Sequence, residues 1–306
     1  MHCGLRGAMV PADDRGAEGV VLGQSGLRVS VPILGAMSFG SAKWAPWVLD
    51  EEPSIEIMKA AWDLGINTID TGNIYSHSEL ERLIAKFIKK YSIPCSQIII
   101  ATKCYGLVAN DPSILLFFMP EYINQSGLSR AAIFNAVDVS LACLETPYID
   151  LLQIHRFDPS FAMLNDMAAR NSWTMFISMQ DEYSLLYREE ECEMLTYYKY
   201  NSIGVIPYAP LYYGLLARPI GTESMRHNST KGSVLERKVI SADLRNTDLT
   251  IINRVEELSK KKNCKMSQIA LAWVASKVSS PIVGISSIQS CRSTWRSHVL
   301  MTPLQV

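Results

Sequence analysis

Short, continuous apolar runs alternate with segments of helical period along most of this chain. Residues 31–34, 67–69, 98–101, 150–154, 176–179, 204–207 and 281–283 are short, rich in β-branched residues and not broken by regular polar positions. Such runs predict strands buried on both faces, as in a parallel sheet. Between them, residues 54–64, 79–90, 130–144, 161–170, 188–200, 249–261 and 267–277 carry the spacing of amphipathic helices. Glu52-Pro53 suits the first turn of the first helix, and Leu64-Gly65 supplies its left-handed stop. Ser129 and Ser267 are placed to cap the third and last helices. Ahead of the first of these strands, residues 20–22 and 27–29 flank Gln24-Ser25-Gly26, which predicts a small hairpin.

Strand-helix alternation without a linker rich in Pro or Ser points to one α/β domain over residues 20–306, preceded by a loose tail over 1–19. A length of 306 residues is ordinary for a single TIM-type barrel. The tail mixes charges with Gly and has no apolar core, so a secretory signal is not expected. The longest apolar run, residues 114–120, is too short to cross a bilayer. A formal net charge of −1 gives no general attraction for nucleic acid or a membrane surface. The seven cysteines are scattered, form no Cys-x-x-Cys pair and have no His at ligand spacing. Reduced thiols in a cytoplasmic protein without a metal are the expectation.

In a barrel the chemistry sits where strands end and loops begin. Asp70, Lys103, His155, Gln180 and Tyr208 follow strand candidates and are the polar residues to weigh. Singly they say little, because an Asp after a strand is often a helix cap and a Tyr near a loop is usually packing. Together they resemble the aldo-keto reductase family. Gly65-Ile66-Asn67-Thr68-Ile69-Asp70-Thr71-Gly72-Asn73-Ile74-Tyr75-Ser76 is similar to its "GINxxDTAxxY" element, and Thr102-Lys103 follows a β run as its lysine does. Asp150-Leu151-Leu152-Gln153-Ile154-His155 resembles its "DLxxxH" element. Asn124-Gln125-Ser126-Gly127-Leu128-Ser129-Arg130 and Ile177-Ser178-Met179-Gln180 are similar to a fungal branch of aryl-alcohol dehydrogenase-like and versiconal hemiacetal acetate reductase-like enzymes.

The resemblance implies a (β/α)8 barrel and NADPH-dependent reduction of a carbonyl: an aromatic aldehyde, a ketone or a polyketide-derived intermediate. It assigns Tyr75 as general acid, Lys103 as its tuner, Asp70 as the partner of Lys103 and a cofactor contact, and His155 as the group orienting the carbonyl oxygen. A free phenol has a pKa of about 10, and a neighbouring cation is expected to lower it. For the cofactor the resemblance implies Gln180 on the nicotinamide carboxamide and Tyr208 stacked on its ring, within Pro207-Tyr208-Ala209-Pro210-Leu211; packing at the barrel end is the alternative for Tyr208. Gly284-Ile285-Ser286-Ser287 is similar to the loop that holds the adenosine 2′-phosphate, with Arg292 as a candidate cation.

The sequence also departs from the family pattern. His155-Arg156-Phe157-Asp158-Pro159-Ser160 runs almost directly into Phe161-Ala162-Met163-Leu164, so about one β/α unit, on the order of 30 residues, is expected to be absent. A shortened protein, an altered splice product and a misread gene all remain open as its origin. After Ser290 the expected acidic amphipathic helix is not continued, and the usual last helix and tail are not expected. Tyr212-Tyr213 stand where the branch often has Ala-Arg. The competing function is a catalytically impaired, NADP(H)-binding regulatory barrel, and a chain that does not fold stably is the third possibility. Substrate identity and oligomeric state are not legible.

Overall fold

A computed structural model describes residues 19–108, 122, 124–156, 168, 170–172, 175–222 and 246–295. The expected tail over 1–18, the apolar run 114–120, most of the expected helix 161–170 and the residues after 295 lie outside the described residues.

The predicted hairpin is present, with β1 (Val20–Val21) antiparallel to β2 (Arg28–Val29). The chain continues through β3 (Ile33–Gly35), α1 (Glu51–Asp63), β4 (Thr68–Asp70), α2 (Glu79–Lys90), β5 (Ile99–Cys104), α3 (Arg130–Leu144) and β6 (Leu151–Ile154). Its second half carries β7 (Ser178–Met179), α4 (Met194–Tyr200), β8 (Gly204–Val205), α5 (Asn246–Lys261), α6 (Met266–Ala275), β9 (Ile282–Gly284) and α7 (Ile288–Trp295).

Five of these strands form one parallel sheet in the order β6-β5-β4-β3-β9. β7 and β8 pair in parallel beside it. Backbone bonds from Ile282 N to Pro207 O (2.9 Å) and from Ser279 N to Val205 O (2.9 Å) tie the β9 region to β8. Among the described residues β6 is therefore paired only with β5, and β7 only with β8.

The continuous apolar character of the strands has a direct structural counterpart. Ile33, Ala101, Leu151 and Ile282 face an inner cluster with Leu22 and Val29 of the hairpin and Ile206. Their neighbours Leu34, Ile100 and Val283 face the opposite way, into an outer cluster with Ile55 and Met58 of α1 and Leu83, Ile84 and Phe87 of α2. Successive strand residues point to opposite faces, so a strand buried on both must be apolar at every position. The hairpin fills one end of the inner cluster and leaves the other end for the polar residues.

Two helix ends differ from the expectation. Ser129 does cap α3, accepting from Ala132 N. Ser267, however, lies inside α6, whose N-cap is Lys265; the Gln268 side chain accepts from Lys265 N at 2.9 Å. Residues 188–200 split into a 3₁₀ turn at Glu189–Glu191 and the short α4, with Arg188 paired to Glu191 at 2.5 Å. No acidic helix continues after Ser290, as expected, but a helix without acidic residues, α7, does form there. α7 runs through Trp295 because Cys291, fully buried, joins the outer cluster beside α1. Ile288, at the start of α7, is partly buried and packs against the same cluster. Among the described residues, no helix is long and apolar enough to cross a membrane.

Candidate active site

Asp70 ends β4, Lys103 lies near the end of β5, and His155 follows β6, so three adjacent parallel strands deliver them to one end of the sheet. Tyr75 arrives on the loop after β4. Gly72 makes room for it: a Cβ there would stand 3.3 Å from the Tyr75 ring and 3.5 Å from Lys103 Cβ.

The four come together. Lys103 Nζ bonds Asp70 Oδ2 at 2.6 Å and Thr71 O at 2.8 Å, and it lies 5.2 Å from the centre of the Tyr75 ring. The His155 ring stands edge-on to Tyr75, with centroids 5.5 Å apart and planes at 89°. Asp70, Lys103 and Tyr75 are 4%, 3% and 8% exposed, so their charges act on one another largely unscreened by water. His155 is half-buried.

Burial pulls the Lys103 pKa down, but Asp70 and then Tyr75 more than offset it, and the amine stays a cation. For Tyr75 burial is the largest influence, and the expected lowering by Lys103 is present but outweighed. Burial raises its pKa more than Lys103 lowers it, and Asp70 adds to the rise, so the phenol is held protonated. Burial, then Lys103 and Arg156, depress His155 from 6.5 to about 4, which makes it a neutral imidazole near pH 7.

Gln180, just past β7, joins this group: its Nε2 donates to Asp70 Oδ1 (2.9 Å) and to Gln153 Oε1 (2.8 Å). Tyr208 lies beside it after β8, 36% exposed, with its hydroxyl donating to Glu182 at 3.2 Å. Burial and then Glu182 push that phenol well above its ordinary range. Leu211 is partly buried and packs against the apolar clusters. Ser286 and Ser287 are exposed after β9, and the Ser287 hydroxyl accepts from Ser290 N (3.1 Å) at the start of α7. Arg292 is not gathered with them. It lines a surface cavity of about 330 Å³ between α1 and α7, with Glu56, Lys59 and Asp63.

Three contributors were not singled out from the sequence. Gln153 donates its amide to Asp70 Oδ1 at 3.0 Å. It occupies a variable position of the "DLxxxH" element, and only its inward register on a strand two residues before His155 could have marked it. The Thr71 carbonyl is a backbone acceptor that no side-chain pattern reveals. Trp44, on the loop after β3, sits 6.2 Å from the Tyr75 ring, and its i,i+3 pairing with Trp47 after a strand was the available signal.

The site thus offers a protonated phenol over a buried cation, a neutral imidazole beside it, and a rim of exposed groups from β7, β8 and β9. The family model described as "Aldo/keto reductase family" matches residues 33–172 and 165–302. An aldo-keto reductase of Fusarium vanettenii is 44% identical over 313 residues, covering 88% of this chain and 83% of that protein. The versiconal hemiacetal acetate reductase of Aspergillus parasiticus is 41% identical over 306 residues, covering 87% and 88%. A putative aryl-alcohol dehydrogenase of Schizosaccharomyces pombe is 40% identical over 311 residues, covering 88% and 87%. The 313-residue match takes in only 88% of a 306-residue chain, so that relative carries residues inside the matched region which this chain lacks.

Proposed function

This chain belongs to the aldo/keto reductase family, an oxidoreductase family, and from that premise we propose that it reduces a carbonyl to an alcohol with NADPH, Tyr75 delivering the proton. The observation that carries the reading is the buried Asp70–Lys103 pair at 2.6 Å with the Tyr75 ring above it and His155 edge-on.

Each residue's part follows from its surroundings. The Tyr75 hydroxyl is kept protonated by burial and so is a donor at neutral pH. As its proton passes to the carbonyl oxygen, the phenolate left behind faces the Lys103 cation, which stabilises charge that develops only during reaction. Asp70 and the Thr71 carbonyl hold Lys103 in place. His155, uncharged above pH of about 4, offers an N–H to the same oxygen without adding a second cation. Trp44 supplies an apolar wall beside Tyr75 that suits an aromatic substrate, in keeping with relatives named for aryl alcohols and for versiconal hemiacetal acetate.

The groups on the rim fit a nicotinamide cofactor, which when bound supplies the hydride. Gln180 spends its amide nitrogen on Asp70 and Gln153, which leaves Oε1 as the atom to accept from the carboxamide. The exposed Tyr208 ring offers a stacking face, with Leu211 next in the chain after Pro210. Gly284 has open space where a side chain would stand, and exposed Ser286 and Ser287 follow it, room and donors for a phosphate group. Arg292 would have to turn out of its cavity beside Glu56 and Asp63 to add a cation for the 2′-phosphate. A cytoplasmic setting agrees with the six described cysteines being free thiols.

The test is NADPH oxidation with a panel of aromatic aldehydes and ketones. Turnover is expected, and Tyr75→Phe should lower kcat by about 10²–10⁴-fold, the usual worth of a positioned acid. A Tyr75→Phe enzyme as fast as the parent overturns the assignment. The second reading is an NADP(H)-binding barrel without turnover, one β/α unit short after Arg156. The splitting of the family match into two segments that overlap at residues 165–172, the residues lacking in the aligned region, and the single-sided pairing of β6 and β7 among the described residues favour the shortening. Saturable NADPH binding with no oxidation across the panel would select that reading.

A further inference from the structure

β6 and β7 each lack a second strand neighbour among the described residues, yet their side chains meet. Gln180 Nε2 donates to Gln153 Oε1 at 2.8 Å and to Asp70 Oδ1 at 2.9 Å, while Gln153 Nε2 donates to the same Asp70 oxygen at 3.0 Å. The three groups form a closed triangle. Its polarity is fixed by the carboxylate, because only an NH2 group can face Asp70 Oδ1; a flipped amide would set oxygen against oxygen. Asp70 Oδ2 accepts from Lys103 Nζ at 2.6 Å.

We propose that Gln153 is a positioning residue for the reduction: with Gln180 it clasps β6 to β7 and fixes the Asp70 carboxylate, which in turn fixes Lys103 beneath Tyr75. The clasp also sets which atom of Gln180 faces outward. With its nitrogen held by two internal acceptors, Gln180 can serve a cofactor only through its carbonyl oxygen. The same pair of glutamines therefore links the proton-delivering half of the site to the cofactor rim. The inference rests on the reading of Asp70, Lys103 and Tyr75 as the proton-handling set.

The test is Gln153→Leu, similar in size and unable to donate or accept. The enzyme should lose about 10- to 100-fold in kcat, the scale of a hydrogen bond to a charged group, with carbonyl KM changed less than about three-fold. A double-variant cycle supplies the coupling. If the glutamines act as one unit, Gln153→Leu/Gln180→Leu is no more than about two-fold slower than Gln180→Leu alone, whereas independent roles multiply. A third measurement needs no turnover: ring-carbon NMR of labelled tyrosine, with Tyr75 assigned by Tyr75→Phe, followed against pH. Loosening Lys103 should move the Tyr75 midpoint upward in Gln153→Leu. A folded Gln153→Leu protein with an unmoved Tyr75 midpoint overturns the clasp whether or not the chain turns over. Parent protein that binds NADPH yet reduces nothing, while the midpoint does move, overturns only the carbonyl-reductase reading.

Discussion

The two halves of the molecule handle their polar residues differently. From β3 to β6 the sheet is continuous: Lys103 pairs in register with Gln153, Asp70 with Ala101, and Asp70, Lys103 and Tyr75 are almost wholly buried. From β7 to β8 each strand has only two residues, and Tyr208 is over a third exposed. Proton chemistry needs groups whose pKa values are set by burial and fixed neighbours, and that calls for a paired, apolar-backed frame. Holding a cofactor needs reachable surfaces. The difference between the halves agrees with the tasks proposed for them, and it can be tested by perturbing one side at a time.

The sharpest break comes from Lys103→Met. It leaves Asp70 buried with amide donors but no cation, so stability should fall by about 3–5 kcal/mol, read by denaturant unfolding, and turnover should be lost with it. An equal loss from a change on the cofactor rim would erase the contrast. Next is a pH effect on the buried half. Because the folded protein holds His155 at about 4 while the unfolded chain titrates near 6.5, the unfolded state binds the extra proton between these values. Stability should therefore be fully present above about pH 6.5 and fall as pH drops toward 4, by at most about 3 kcal/mol, with His155→Gln flattening that slope. On the open half, Tyr208→Ala should raise the Kd for NADPH by about ten-fold while leaving the unfolding midpoint nearly unchanged, since a stacked exposed ring is worth about 0.5–1.5 kcal/mol. Smallest is Arg292→Ala, an exposed side chain that lines a cavity with Glu56 and Asp63. A change of about two- to three-fold in the Kd for NADPH and none for NADH is expected, measured by fluorescence titration.

Much of the frame was legible because a strand buried on both faces must be apolar throughout, and all seven such runs contain strands. The gathering of the proposed reacting set at one end of the sheet was legible through its motifs, which place Asp70 and Tyr75 five residues apart across a strand end. What was not legible depends on neighbours distant in sequence. The direction of the Tyr75 shift turns on how completely the site is buried, which no local pattern states. Gln153 gains its role only when β6, across β5, comes within reach of Asp70 on β4 and of Gln180 past the end of β7. The cap of α6 fell to Lys265 and Gln268 because a glutamine reaching back can satisfy the first turn as a serine would. α7 was missed because its apolar anchors, Cys291 and the partly buried Ile288, matter only once α1 is there to receive them.

The hairpin at the foot of the sheet carries a consequence for how the chain assembles. A Cβ on Gly23 would strike Ile177 O at 2.5 Å and Ser202 O at 2.8 Å, and one on Gly204 would strike Leu22 at 2.4 Å. Hairpin and β8 therefore meet almost backbone to backbone, though about 180 residues separate them along the chain, a contact of high order. The hairpin, made early, must wait on the ribosome for β8 before the contact between them can form. Until then Leu22 and Val29 have no complete pocket, and the nascent chain must carry them unsheltered through most of its synthesis.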